Sequence, residues 1–205
     1  MNLPNRISLA RICLIPVFVT AFFLDGILPF NYGIAAIIFA VAALTDFVDG
    51  KIARKYNLVT NLGKFLDPIA DKVLISIAMV LLLALKDSLF MWMNVSANLL
   101  YVFTVVCVCI ILARELIISA FRQIAAVNGL VMAADKLGKY KAACQDVATF
   151  VLILAVDLFG YANVTVGRIV AWIGFALFAV ATVLTVISGI SYVVKNKQVL
   201  KEKND

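Results

Sequence analysis

ANLLYVFTVVCVCIILARELIISAF, residues 97–121, is the stretch on which the fold turns. From Ala97 to Ala113 it carries no charge. A bilayer crossing takes about 20 predominantly apolar residues, and this run supplies them. Arg114 and Glu115 then arrive side by side, and the apolar pattern resumes. Charges within such a helix are costly and need a purpose. Outward from this run, comparable apolar segments lie at about 8–24, 32–48, 67–85, 142–160 and 167–194. The chain has 205 residues, 64% of them apolar and 15% charged, where a soluble domain carries about 25% charged. That balance excludes a water-soluble globular protein and a disordered one. Six spans would use nearly all the apolar residues, so no soluble domain fits beside them. The reading is an all-α, polytopic integral membrane protein with six transmembrane helices, one domain over 1–205. Any chemistry sits in or beside the membrane.

The first run is read as a span and not as a cleaved leader, since Pro16 and large residues continue through Phe23. Asn2–Asn5, with Pro4, reads as a short helix-entry segment on the surface. No repeat, low-complexity tract or dividing linker interrupts the chain. Every Lys and Arg except Lys86 and Arg168 falls at the N-terminus, around the span 2–3 or span 4–5 connections, or in the tail. By the positive-inside rule, both termini and both charged connections are cytoplasmic, in the cell membrane. Trp92, Trp172, Tyr32 and Tyr161 read as interfacial belt residues. The formal charge of +6 suits anionic lipid or phosphate ligands. No nucleic-acid partner is expected.

With no histidine, a His base or His metal ligand is excluded. Cys13, Cys107, Cys109 and Cys144 fall in apolar stretches without metal spacing and read as small hydrophobes. Of the twelve acidic residues, Asp46, Asp49, Asp67 and Asp71 cluster by position. Asp46 and Asp49 are three apart at the end of span 2, and Asp67 and Asp71 are four apart at the start of span 3. Each pair shares one helix face. A turn containing Gly63 brings the faces together, where four carboxylates repel unless cations neutralise them. An all-oxygen donor set favours Mg²⁺ or Mn²⁺. Two such ions about 3.5–4 Å apart suit phosphoryl displacement. Gly50 lets a ligand approach the backbone, Ala53 keeps the face small, and Arg54 can grip a phosphate in bidentate fashion. Any single Asp reads equally well as a helix-end charge paired with Lys51, Lys64 or Lys72. Four of them on two facing helix ends do not. Asp25, Asp87 and Asp157 fall at the opposite ends and read as solvated. Asp146 can pair with a basic residue in the bundle, and Arg168 reads as an interface anchor.

The segment DFVDGKIARKYNLVTNLGKFLDPIAD, 46–71, resembles the CDP-alcohol phosphotransferase signature D-x2-D-G-x2-A-R-x8-G-x3-D-x3-D. Asp46, Asp49, Gly50, Ala53, Arg54, Gly63, Asp67 and Asp71 match every fixed position. The resemblance covers essentially the whole chain. It implies six spans, a cytoplasm-facing active site, two divalent ions held by Asp46, Asp49, Asp67 and Asp71, and a homodimer. It also implies that Asp49, Gly50, Ala53 and Arg54 line the CDP-lipid site and that Asp71 is the general base. Thr45 and Asn5 are weaker candidates for nucleotide contact. Within the family, NLPNRISLARICLIP (2–16), ARELIISAFR (113–122) and LGKYKAACQ (137–145) resemble the members that use sn-glycerol 3-phosphate as acceptor and CDP-diacylglycerol as donor. Ala142 departs from the Thr usual there, which bears on a minor acceptor contact. Arg114, Lys139, Lys141 and Arg122 are the candidates for the acceptor phosphate. The competing reading of Arg114 is a salt bridge to Glu115. For the lysines it is topology and lipid headgroup contact.

Rival functions keep or change the class. Cardiolipin, phosphatidylserine and inositol-phosphate synthases share the signature. Intramembrane prenyltransferases also use Asp pairs with Mg²⁺, but on two separated motifs. A divalent cation transporter would want its acids near the midplane.

Overall fold

The computed structural model describes the backbone of residues 3–55, 61–93, 97–127 and 136–197. Side chains are described for these residues except 3–5, 46–55, 61–68, 127 and 136. Six α-helices follow in order: α1 Leu3–Phe22, α2 Asn31–Lys55, α3 Asn61–Ala84, α4 Ala97–Val127, α5 Lys136–Tyr161 and α6 Val164–Lys195. A π-helical turn, Lys86–Phe90, follows α3. No strand occurs among the described residues. The apolar runs of the sequence lie within helices except that 8–24 passes the end of α1 by two residues and 67–85 passes the end of α3 by one, and most helices begin before their run. Among the described residues, Ala97–Ala126, Leu137–Tyr161 and Val164–Lys195 are long and apolar enough to cross a membrane. Asn31–Thr45 is a shorter apolar helix.

The most extensive contact is between α5 and α6, followed by α1 with α2. α5 also packs on α2 and α3, which makes it the central helix of the bundle. Glycine lets α6 approach α5 so closely. A Cβ on Gly174 would stand 2.7 Å from Leu152 side-chain carbons, and one on Gly167 would stand 2.6 Å from the Phe159 ring. In lipid, where apolar surface gains nothing by leaving its solvent, such close backbone approach is a main source of helix association. Phe18, Phe39, Met79, Leu82, Ile111, Leu152 and Phe178 fill the core between the helices.

At one end of the bundle α2 begins with its backbone donors facing protein. Asn31 Nδ2 donates to the Phe22 carbonyl at 3.1 Å, and Asp157 Oδ2 accepts from the Gly33 N–H at 2.5 Å. Asp157 is therefore buried, not solvated as its position near the end of α5 suggested. It caps the α2 N-terminus, where orphan N–H groups and the helix dipole favour a carboxylate. The same end carries Lys86 over the Tyr101 ring and Arg168, whose Nε donates to the Trp92 carbonyl. Trp92, Trp172 and Tyr161 are exposed, whereas Tyr32, read with them as a belt residue, is half-buried against the Phe22 ring. Cys107 is buried, whereas Cys13 and Cys109 lie on exposed apolar helix faces, so only part of the cysteine set packs inside.

Candidate functional site

At the other end, α2 continues as helix through Asp46, Asp49, Gly50, Ala53 and Arg54 to Lys55. After a short connection, α3 is helical from Asn61 through Gly63, Asp67 and Asp71. Both acidic pairs thus lie on helical backbone, as their spacing requires. The side chains of Asp46, Asp49, Ala53, Arg54 and Asp67, and that of Asn5 in the first turn of α1, lie outside the described residues, as does any structural account of Gly50's surroundings. Asp71 is exposed, next to buried Ala70. A divalent cation suits this donor set by its chemistry: carboxylates from the last turns of one helix and the first turns of the next, with no His in the chain. Among the described residues no three potential ligands come together, because only one of the four signature carboxylates is described.

Immediately before the signature, Arg11 reaches across from α1. Its side chain is fully buried, and its Nε donates to Thr45 Oγ1 at 3.4 Å. Thr45 in turn donates to the Ala42 carbonyl at 2.7 Å. The sequence reading used Arg11 only as a topology charge. The available signal was an arginine well inside an apolar run, which is costly unless the bundle needs it. Thr45 thus faces α1, with a defined rotamer, at the start of the acidic end.

A second polar cluster joins α4, α5 and α6. Arg114 Nη1 donates to Glu115 Oε1 at 3.2 Å, and its Nη2 donates to Ser188 Oγ at 3.1 Å. Lys141 Nζ forms a short ion pair with the same Glu115 oxygen. The Lys141 side chain is 5% exposed, against 22% for Glu115. Lys139, two residues earlier, is exposed. A two-residue step turns about 200° on a helix, so the two lysines point to opposite sides. Arg122 donates from Nε to the Tyr192 hydroxyl at 3.1 Å, with its guanidinium 5.2 Å from that ring's centroid. Of the four basic candidates, the structure brings Arg114 and Lys141 together, puts Arg122 two turns further along α4, and leaves Lys139 apart. The Glu115 pairing expected as a competitor for Arg114 is present, and it includes Lys141 as well.

One turn after Lys141, Gln145 Nε2 approaches Met79 Sδ at 3.9 Å, which ties this cluster to α3, the helix of Asp71. Two buried polar atoms among the described residues lack a partner, Arg114 Nε and Gln145 Oε1. Between α4 and α6 lies an apolar groove of about 520 Å³, bordered by Ile110, Ile117, Val186 and Ile190, with Arg114 as its charged member. The arrangement offers two centres on one bundle. One is acidic, at the α2–α3 junction, and the other is a cationic pair held by a carboxylate.

Residues 1–187 match the family described as CDP-alcohol phosphatidyltransferase. The chain is 38% identical to the CDP-diacylglycerol–glycerol-3-phosphate 3-phosphatidyltransferase of Bacillus subtilis, over 99% of each chain. It is 40% identical to the protein of that name from Rickettsia felis, over 93% of each. The one from Salmonella typhimurium is 38% identical, over 93% of this chain and 92% of its own.

Proposed function

The chain belongs to the CDP-alcohol phosphatidyltransferase family, and on that premise we propose that it moves the phosphatidyl group of CDP-diacylglycerol onto sn-glycerol 3-phosphate. The products are phosphatidylglycerophosphate and CMP. It is a membrane-bound transferase of phospholipid synthesis. The observation that carries this reading is the complete acidic signature on the helical ends of α2 and α3, in a chain similar over nearly its full length to enzymes of that activity.

Asp46, Asp49, Asp67 and Asp71 hold two divalent ions, Mg²⁺ or Mn²⁺, which when bound offset the negative charge that builds on the pyrophosphate. Asp49, Gly50, Ala53 and Arg54 line the cytidine diphosphate site, with Arg54 on the phosphates and Thr45 and Asn5 beside it. Asp71 accepts the proton of the acceptor hydroxyl. The freed oxygen attacks the phosphorus that bears the diacylglycerol, and the bond from that phosphorus to the CMP oxygen breaks. A chain without histidine has a carboxylate as its natural base, and Asp71 is exposed on α3, one turn beyond Asp67. Arg114 and Lys141, with Arg122 further along α4, receive the acceptor phosphate, whereas Lys139, on the other side of α5, is set apart from them. Arg114 and Lys141 form its centre, since they already meet on one anionic oxygen.

The whole chain, 1–205, is one such domain with six spans in the cell membrane. Both termini and the active site face the cytoplasm, and two copies pair as a homodimer. The bias of Lys and Arg supports the orientation, and so does the grouping of Lys86 and Arg168 with Trp92 at the far end.

The test is CMP release from CDP-diacylglycerol by detergent-purified protein with Mg²⁺. Glycerol 3-phosphate is compared with serine, inositol 1-phosphate and phosphatidylglycerol. Release driven by glycerol 3-phosphate alone, and lost on chelation, is the expected result. Release driven by a different alcohol would move the acceptor assignment while keeping the donor site.

A further inference from the structure

Glu115 has no place in the mechanism so far, yet it is the hub of the basic cluster. A single oxygen, Oε1, receives Arg114 from its own helix and Lys141 from α5. Ser188 holds the other end of the guanidinium from α6. Glu115 thus ties α5 to α4, and Arg114, held by it, reaches on to α6. Lys141 is nearly out of solvent, and no other anionic partner for it is present among the described residues. A buried cation whose counter-charge is removed is left uncompensated, and its side chain moves to find another. Arg114 has a fixed fork, and with one nitrogen on Glu115 and another on Ser188 its plane is set.

We propose that Glu115 is a positioning residue for the acceptor phosphate: it holds Arg114 and Lys141 side by side and charged, so that the two cations receive the phosphate of glycerol 3-phosphate as a preformed pair. Glu115 itself does not touch the substrate. The cluster carries one net positive charge with Glu115 in place, enough to attract a phosphate without two bare cations repelling each other between substrate encounters. This inference rests on the reading of Arg114 and Lys141 as acceptor-phosphate residues.

The experiment uses the full chain in detergent–lipid micelles, as wild type and as Glu115→Gln, Glu115→Asp, Arg114→Gln and Lys141→Met. CMP release is measured against glycerol 3-phosphate and against CDP-diacylglycerol. The rise in melting temperature on adding inorganic phosphate is measured without donor lipid. Glu115→Gln is expected to raise the KM for glycerol 3-phosphate by about tenfold or more, with kcat and the donor KM changed by less than about threefold. It is also expected to abolish the melting-temperature rise. Glu115→Asp, which keeps the charge on a shorter stem, is expected to recover part of both. An unchanged acceptor KM in Glu115→Gln, beside raised values in Arg114→Gln and Lys141→Met, would overturn the role of Glu115 and leave the acceptor site standing. Unchanged values in all three would overturn the acceptor site as well. Equal losses in both substrates and in kcat would make Glu115 a general structural residue, against the proposal. If Glu115→Gln does not fold, the split between KM and kcat in Glu115→Asp decides in the same way.

Discussion

Asp157 and Glu115 are carboxylates away from the signature whose surroundings differ in kind. Asp157, on α5, is neutralised by the backbone: it accepts the Gly33 N–H at the start of α2. Glu115, on α4, is neutralised by side chains, Arg114 and Lys141. A backbone N–H is fixed by its helix and cannot be passed to a ligand. A guanidinium and an ammonium keep donors to spare and can take a second anion. On the proposal above, the way each charge is compensated separates a carboxylate that holds helices together from one that prepares a site. Asp71 is a third kind, exposed on α3.

This contrast can be broken by substitution. The largest effect is expected at the third kind: Asp71→Asn lowers kcat by about 10²–10⁴-fold, as loss of a general base does, with CDP-diacylglycerol binding retained. Parallel rate and donor-binding measurements check it, and an equal loss of binding would remove Asp71 from the role of base. Asp157→Leu, next in size, leaves the α2 N-terminus uncapped and costs about 2–3 kcal/mol of stability, with both KM values unchanged. Asp157→Asn keeps an acceptor oxygen for Gly33 and loses about half as much. Thermal unfolding in detergent reads both, and a raised acceptor KM in either would erase the distinction from Glu115. Gly174→Val pushes α6 away from Leu152, which lies between Lys141 and Asp157 on α5, and costs about 1–3 kcal/mol through overpacking. Its activity per folded molecule should match wild type if the two ends of α5 work independently. Arg168→Ala should change the unfolding midpoint least, by no more than about 1 kcal/mol, since its bond to the Trp92 carbonyl is solvent-exposed.

The helices were legible because an apolar run is a local property, and each run lies in one helix to within two residues at its end. The acidic pairs were legible for the same reason, since three- and four-residue spacing sets a shared face on any helix. What the sequence concealed was which helix meets which. Asp157 reads as solvated near a span end, and only the arrival of the α2 N-terminus beside it makes burial favourable. Lys139 and Lys141 look alike in a basic segment. The way α5 faces α4 buries one of them against Glu115 and leaves the other outside. Arg11 was counted as one more positive charge, and its reach to Thr45 depends on the crossing of α1 and α2.

The unequal lengths of the helices set a depth scale. A hydrocarbon core takes about 20 helical residues, roughly 30 Å. α6 counts off about that many from Arg168, at the Trp92 end, to Ser188, which holds Arg114. α4 covers a similar distance from Ala97 to Arg114, then runs on to Val127, and α6 runs on to Lys195. In the proposed orientation the cationic pair lies one membrane thickness from the Trp92 end, at the depth of the headgroups. A water-borne phosphate can meet a lipid-borne pyrophosphate there, with neither entering the other's solvent. Bilayer thickness then becomes a variable of the reaction, because a thicker sheet would submerge the very residues that greet the polar reactant.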